Sequence, residues 1–271
     1  MIVFIGRLCE NGFVTGFWSE ASMSISYNSF CDDFYVDMYI NTRFDLPSER
    51  DTLLAFFERV KKQYPGMTIL NREGTEYCLD ESAQSEHNLW VSVDVDRLGA
   101  GCVNPETFQQ AFDLPRFVIG LVPYMLGVRS LDIESVDLTF GMDFEFAGNH
   151  NDIISEALFG GSAFSRLFDI AGPGPLNLSP SAIIALNEDC STRARIAIES
   201  RTDEAEIRSG KFDTDKPISL FSTIRQYPQA GQEFELEKVF AKICALAVEY
   251  MDEKVVPNIV LPLTNAIAHR R

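Results

Sequence analysis

The chain has 271 residues, 46% of them hydrophobic, and a formal net charge of -17. The length suits one large domain or two modest ones, and the apolar fraction argues against wholesale disorder. So large an acidic excess repels phosphate backbones and anionic lipid headgroups, so we expect neither a nucleic-acid nor a membrane partner, while a basic partner or simple solubility would both suit the charge.

The cysteines and the first residues bear on the cellular compartment. None of the six cysteines shows metal-type spacing, and in a chain of this size they are typical of free thiols in a reducing compartment. The opening MIVFIGRLCENG lacks the basic leader of a signal peptide, and no apolar stretch is long enough to span a membrane. We therefore expect a soluble, cytoplasmic protein.

The first elements in chain order are short strands. Residues 2–6 and 13–17 flank the turn Glu10-Asn11-Gly12, and Asn-Gly is a strong hairpin signal. We therefore predict that residues 1–30 form an N-terminal hairpin extension.

A half-buried strand is predicted at 34–44, because apolar and polar residues alternate there with a period of two. The apolar positions are Phe34, Val36, Met38, Ile40 and Phe44, and the polar face carries Tyr35, Asp37, Tyr39, Asn41 and Arg43. A helix at 48–64 follows, ended by Pro65-Gly66.

Further strands are predicted at 67–71, 75–79 and 88–97. In the last of these, Val91, Val93 and Val95 would face inward, and Trp90 and its even-numbered neighbours outward. A helix then opens at 104–106, and prolines at 115 and 123 predict breaks or kinks in it.

The second half repeats this order. At 136–146 the apolar positions are Leu138, Phe140, Met142, Phe144 and Phe146, and the other face carries Asp137, Thr139, Gly141, Asp143 and Glu145. A helix near 149–151, strands at 182–186, 192–200, 205–208 and 217–226, and a long amphipathic helix from about 232 follow.

The matched order predicts an internal duplication in an α+β fold, with units at 31–128 and 129–271 packed as one globular unit. The strands should form antiparallel sheet with helices packed on one face. This element order resembles that of the TATA-binding-protein-like and helix-grip groups of folds.

The polar face of such a sheet is the candidate site, for a ligand or for a partner. It would bring together residues from both halves, namely Tyr35, Asp37, Tyr39, Arg43, Trp90, Asp137, Asp143, Glu145, Arg193 and Arg195. The alternative is ordinary cross-strand charge pairing on a solvated sheet, with the acids neutralised by arginines 193, 195 and 201. Exposed aromatic side chains favour the binding interpretation.

Catalytic patterns are weak by comparison. His150 and Asp152 could form a base and its orienting group, but residues of this kind more often cap a helix start. Asp94-Val95-Asp96 resembles a magnesium-binding pair, yet no glycine-rich phosphate loop precedes it. We therefore expect no catalytic residue, no metal site and no cofactor.

Three hypotheses on function remain open. The first is a non-enzymatic binding or protein-interaction protein on the duplicated scaffold. The second is a small-molecule-binding protein or enzyme that uses the polar sheet face or the groove between sheet and helices. The third is a subunit of a homo-oligomer, joined through edge strands or the C-terminal helix.

Overall fold

The computed structural model of the protein describes residues 25–82, 88–172, 174–229, 231 and 233–270. The hairpin expected at 2–6 and 13–17 lies outside the described residues. Within them, the strands are β1 (Asp33–Thr42), β2 (Met67–Glu73), β3 (Glu76–Glu81), β4 (Leu89–Val93), β5 (Arg97–Val103), β6 (Ile133–Phe144), β7 (Ser181–Ala185), β8 (Thr192–Glu199) and β9 (Ile218–Gln226).

These strands form one antiparallel sheet in the order β2-β3-β4-β5-β1-β6-β9-β8-β7. The α-helices are α1 (Arg50–Gln63), α2 (Phe108–Met125), α3 (His150–Ile154), α4 (Ser165–Phe168), α5 (Glu204–Ser209), α6 (Leu236–Tyr250) and α7 (Leu261–Arg270). π-Helical segments at Ser155–Phe159 and Met251–Val260 follow α3 and α6, and a short 3₁₀ helix lies at Tyr27–Ser29. The described residues therefore form an α+β protein, as expected. No helix among them combines the length and the hydropathy needed to cross a bilayer.

The two central strands follow the predicted alternation. In β1 the residues from Phe34 to Ile40 at even positions are buried, and the odd positions between them are half-buried. β6 pairs with β1 along its length and buries Leu138, Phe140 and Met142 on the same side. The period of two therefore predicted correctly which side of each strand faces the core.

The predicted ends of these strands were wrong. Phe44, which the alternation assigned to the core, is 66% exposed, because β1 ends at Thr42 and the chain turns there. The Thr42 hydroxyl donates to the Phe44 carbonyl at 2.7 Å and so stabilises the turn. β6 likewise ends at Phe144, two residues before the predicted end.

The strand predicted at 88–97 is in fact a hairpin of β4 and β5. Asp94-Val95-Asp96 forms the turn between them, and Val95, expected in the core, is 42% exposed. The Asp94 carboxylate accepts hydrogen bonds from the Thr75 hydroxyl and the Val95 N–H. These two acids therefore shape a turn and do not lie side by side on a strand.

Two other elements differ from their predictions. β5, with sequence RLGAGCV, was missed because glycine is unfavourable in strands. Residues 205–208, predicted as a strand, lie in α5, where Asp203 and Glu206 form a reciprocal capping box. That spacing of acids is a recognised signal for a helix start and outweighs the apolar residues between them.

The helix α2 continues through both of its prolines, where breaks or kinks were predicted, so neither proline breaks it. Val118, Ile119 and Val122 are buried on the face that packs toward the sheet. Helical stability in proteins comes mainly from such packing, so it compensates the backbone hydrogen bonds that proline removes.

The core lies between the sheet and the helices, centred on Phe140. Its ring packs against those of Phe34, Phe108 and Phe112, with centroids 5.7, 6.2 and 6.4 Å away. Helix α6 adds Phe240, whose ring meets that of Phe112 edge to face. With one face of the sheet covered in this way, the polar side chains are left on the opposite face.

Candidate functional site

We call the sheet surface that points away from this core the open face. Eight of the ten predicted site residues lie on it, namely Tyr35, Asp37, Tyr39, Trp90, Asp137, Asp143, Arg193 and Arg195. Arg43 and Glu145 do not, because β1 ends at Thr42 and β6 ends at Phe144.

Trp90 lies flat against β5. A Cβ atom placed on Gly101 would come within 2.4 Å of the Trp90 Nε1 atom, and one on Gly99 within 2.7 Å of the ring. The two glycines therefore make room for the indole, which reaches the Asp37 carboxylate with a hydrogen bond of 3.2 Å from Nε1. On its other side the indole meets the ring of Tyr39, with centroids 5.7 Å apart.

Asp37 is the most perturbed acid of the open face. Burial raises the pKa of its carboxyl to about 7, and the Trp90 N–H only partly offsets that effect. Burial likewise raises the pKa values of the phenols of Tyr35 and Tyr39, and the charge of Asp37 adds to the rise. A carboxyl whose pKa lies near neutrality on a polar sheet face is a candidate functional group.

Tyr35 covers the neighbouring part of the open face. A Cβ on Gly141 would fall 2.0 Å from the Tyr35 ring, so only glycine lets the ring lie across β6. The ring then meets Phe221 of β9 edge to face, at 6.2 Å between centroids. Aromatic rings thus fill the centre of the open face, and space for a ligand lies to one side of them.

Like charges stand directly opposite each other at two positions of the open face, although each end of the face also holds charges of the other sign. At one end Asp33 stands opposite Asp143, and at the other Arg193 stands opposite Arg225. Like charges in directly opposed positions destabilise a sheet. The Asp143 carboxylate accepts a hydrogen bond of 2.6 Å from the Ser219 hydroxyl. That hydroxyl in turn accepts a hydrogen bond from the Arg201 guanidinium.

Asp137 is neutralised by Arg225. Of arginines 193, 195 and 201, which were predicted to neutralise the acids of the open face, Arg201 lies near Asp143 and reaches it through the Ser219 hydroxyl. The Arg225 Nε donates to Asp137 Oδ1 at 2.6 Å, and the guanidinium makes a second hydrogen bond to Oδ2. Asn41 also donates to this carboxylate, at 3.2 Å. Only 5% of Asp137 is exposed, so most of this acid is occupied by the ion pair with Arg225.

A cavity of about 220 Å³ opens beside this ion pair. We call it the arginine pocket, and its lining consists of Tyr39, Arg97, Asp137, Thr139, Ile183, Arg193, Arg195, Thr223, Arg225 and Tyr227. Four arginines and one aspartate leave three uncompensated positive charges there, in a chain whose net charge is -17.

Two of these arginines are oriented by aromatic rings. The Arg97 guanidinium lies 5.0 Å from the Tyr39 ring centre, and that of Arg193 lies 4.6 Å from the centre of Tyr227. Such cation–π contacts fix the planes of the guanidinium groups and keep the charges. Arg195 forms neither a hydrogen bond nor an ion pair with any residue that the structure describes.

The floor of the arginine pocket is polar. Thr139 of β6 and Thr223 of β9 face each other, and their hydroxyl oxygens lie 2.8 Å apart. Either hydroxyl can be the donor, so one of the two keeps a proton to offer to a bound group. Guanidinium and hydroxyl donors at one cavity form an arrangement suited to an anion.

His150 does not act as a general base in this arrangement. It is buried, its Nδ1 accepts the Arg201 N–H at 3.2 Å, and its Nε2 lies 3.3 Å from the Phe146 carbonyl. This pattern fits the neutral ring with the proton on Nε2, and burial lowers its pKa. Asn149 caps α3 through its side chain, so this segment serves the helix start.

No group of three or more potential ligands among the described His, Cys, Asp and Glu residues is arranged to hold a metal ion. The cysteines at 31, 78, 102, 190 and 244 are free thiols, and Cys9 lies outside the described residues.

The sequence did not identify two of the four arginines of the arginine pocket, Arg97 and Arg225, as site residues. Arg225 was placed on a strand, but the alternation of Ser219, Phe221, Thr223 and Arg225 could have assigned it to the open face. Arg97 was predicted as the last residue of a strand at 88–97, whereas it begins β5, which was not predicted.

The fold and the open face define an α+β protein with a helix-covered sheet and a polar, arginine-bearing opposite surface. None of the known protein-family models matches this chain, and no curated protein matches it.

Proposed function

We propose that this is a non-enzymatic binding protein whose arginine pocket takes the anionic group of a ligand. The observation that carries the proposal is that three arginines, Arg97, Arg193 and Arg195, converge on one cavity of the open face and form no ion pair with a described residue. Convergent polar groups in a preformed cavity are typical of ligand sites.

The charges favour an anion for a physical reason. Arg193 faces Arg225 across the strands, and Arg195 lies two residues further along β8, about 7 Å away. The Asp137 carboxylate compensates Arg225. Arg193 and Arg195 form no ion pair with a described acid, so the repulsion between these two costs stability. A bound anion would remove that cost and gain charge-assisted hydrogen bonds.

The size of the cavity limits the ligand. At about 220 Å³ it is smaller than the roughly 300–1,000 Å³ of most drug-sized sites. It suits one phosphate or carboxylate group with a small body attached. Both groups accept two hydrogen bonds from one guanidinium, so the two chemistries need to be compared by experiment.

Replacing Arg195 should weaken anion binding without unfolding the protein. Its side chain is exposed and free of described partners, so we expect Arg195→Gln to bind inorganic phosphate about 10- to 100-fold more weakly, the loss of one charged hydrogen-bonding group. Isothermal titration with phosphate, and separately with acetate, measures this and shows which anion is preferred.

The matched control is Arg43→Gln, because Arg43 is also exposed but lies beyond the end of β1. This variant should bind as the wild type does. Equal weakening in both variants would point to the overall charge and not to the pocket, and no binding of either anion at about 10 mM would refute the proposal.

We propose further that the two halves descend from one duplicated unit, with residues 1–30 as an extension. The strand order supports this, since from the centre outward one half reads β1-β5-β4-β3-β2 and the other β6-β9-β8-β7. Each half starts beside the centre and returns to it with its last strand. Superposing residues 31–128 on 129–271 tests the relation and its likeness to the TATA-binding-protein-like and helix-grip folds. The free thiols and the acidic charge support a cytoplasmic location.

A further inference from the structure

In the part of the chain that the structure describes, the sheet ends at β7 with an unpaired edge. Among the described strands, β7 pairs only with β8, and all five of its residues are exposed. Its sequence, SAIIA, contains no charge and no proline, and Ile183 and Ile184 are 67% and 43% exposed. Exposed, flat, apolar edges are the surfaces on which another strand pairs.

The opposite edge is built differently. β2 also has an exposed outer side, but it ends in Asn71-Arg72-Glu73, and its register shifts between Met67 and Ile69. Edge charges and irregular register are the devices by which proteins prevent pairing between sheets. The contrast shows that one edge is protected and the other is open.

The free hydrogen-bonding groups of β7 are arranged symmetrically. The Pro180 carbonyl accepts from Ile198, and the Leu186 N–H donates to Thr192, so even-numbered residues face β8. The backbone groups of Ser181, Ile183 and Ala185 therefore point outward. This set is centred on Ile183.

We propose that β7 pairs with β7 of a second copy of the chain, antiparallel and about a two-fold axis at Ile183. In that register Ser181 faces Ala185 of the other copy and Ile183 faces Ile183, so every outward N–H and carbonyl of both strands finds a partner. The proposal does not depend on the anion site.

The side chains fit the same register. Ile184 of each copy stands beside Ala182 of the other on the core side, so a large residue meets a small one. On the open face the two Ile183 side chains meet directly. The absence of charge from the strand means that two identical copies pair without repulsion along the joint.

Pairing would also extend the arginine pocket. Ile183 lines the outer rim of that cavity and stands opposite Arg195. The second copy would place its own Ile183 next to this rim and close off a side that is open in the single chain. Two pockets would then lie on the same face of one continuous sheet.

The test is the mass in solution of the full chain, measured by light scattering after size exclusion at several concentrations. Wild type should have twice the chain mass of 30.4 kDa. Ile183→Lys should have the mass of one chain, because it adds a charge to the centre of the joint. The matched control Ile69→Lys, on β2 and 39% exposed before substitution, should remain a dimer.

Hydrogen exchange of the wild type provides a second measurement that needs no variant. The amides of Ser181, Ile183 and Ala185 should become more protected as protein concentration rises. A wild type that is monomeric at about 100 µM would overturn the proposal, whether or not these amides are protected. Protection in such a monomer would show that the chain's own residues cover β7, and a dimer that survives Ile183→Lys would place the joint elsewhere.

Discussion

Replacing Phe140 with alanine should lower the free energy of unfolding by about 3–5 kcal/mol. Phe140 is 1% exposed and lies at the middle of β6, where its ring meets those of Phe34, Phe108 and Phe112. The substitution removes the contacts of one ring with a strand and a helix at once. The cavity left behind cannot collapse easily, because three rigid rings surround it.

Chemical denaturation of the two proteins measures this loss. The matched control is Phe44→Ala, the same substitution at a ring that is 66% exposed, and its effect should stay within about 0.5 kcal/mol. Phe144→Ala should resemble Phe140→Ala, since Phe144 is 2% exposed. A loss under about 1 kcal/mol at Phe140 would mean that the register of β6 is wrong.

Replacing Asp37 with asparagine should stabilise the protein at about pH 8, by roughly 3–4 kcal/mol. Burial raises the pKa of the Asp37 carboxyl from 3.8 to about 7, so the folded protein has to hold a costly charge above neutrality. Asparagine is neutral, and its carbonyl oxygen can still accept the hydrogen bond from Trp90. The gain is therefore the removed cost of burying a charge.

The sign of the stability difference between Asp37→Asn and wild type follows from where Asp37 ionises in the folded and unfolded states. Below the unfolded value of 3.8 the carboxyl is protonated in both states, and its contribution to stability is complete. Between pH 3.8 and about 7 the carboxyl ionises only in the unfolded state, so its contribution to folding stability falls as pH rises. The contribution is lost once the pH passes the folded-state pKa of about 7. The advantage of Asp37→Asn over wild type should therefore grow from near zero at about pH 4 to its full size at about pH 8.

Urea denaturation of both proteins across this range is the measurement. Asp45→Asn is the matched control, because the Asp45 side chain is exposed, and its effect should stay within about 0.5 kcal/mol throughout. An Asp37→Asn difference that does not change with pH would show that the carboxyl is not buried as described. A carboxyl kept at such a cost, next to Trp90 and Tyr39, is the kind of residue that function retains against stability.

The boundaries of elements were predicted less well than their faces. The alternation in β1 and β6 correctly separated Phe34 and Phe140 from Asp37 and Asp137, because successive strand residues must point to opposite sides. The same pattern was extended to Phe44 and Val95, which lie past the strand ends. Where a strand stops is set by hydrogen bonds such as that of Thr42, and these depend on the neighbouring chain.

In the candidate site too, the side of the sheet on which a residue lies was predicted better than its neighbours on other strands. Tyr35, Asp37, Tyr39 and Trp90 were recognised as open-face residues from local pattern alone. Arg225, the partner of Asp137, was not among the arginines predicted to neutralise the acids, and it lies 88 residues away in the chain. Spacing along the chain carries no information on which strand lies next to which.

By itself, the sequence determined the α+β class, the side of each central strand that faces the core, and the acidic charge that disfavours polyanions. These follow from the period of two, from side-chain hydropathy and from composition, which are local or additive properties. The tertiary structure decided the strand order, and with it the pairing of Asp137 with Arg225 and the cavity between β1 and β8. Those features depend on register between distant strands, which is set by the packing of the whole core and by the backbone hydrogen bonds of the assembled sheet.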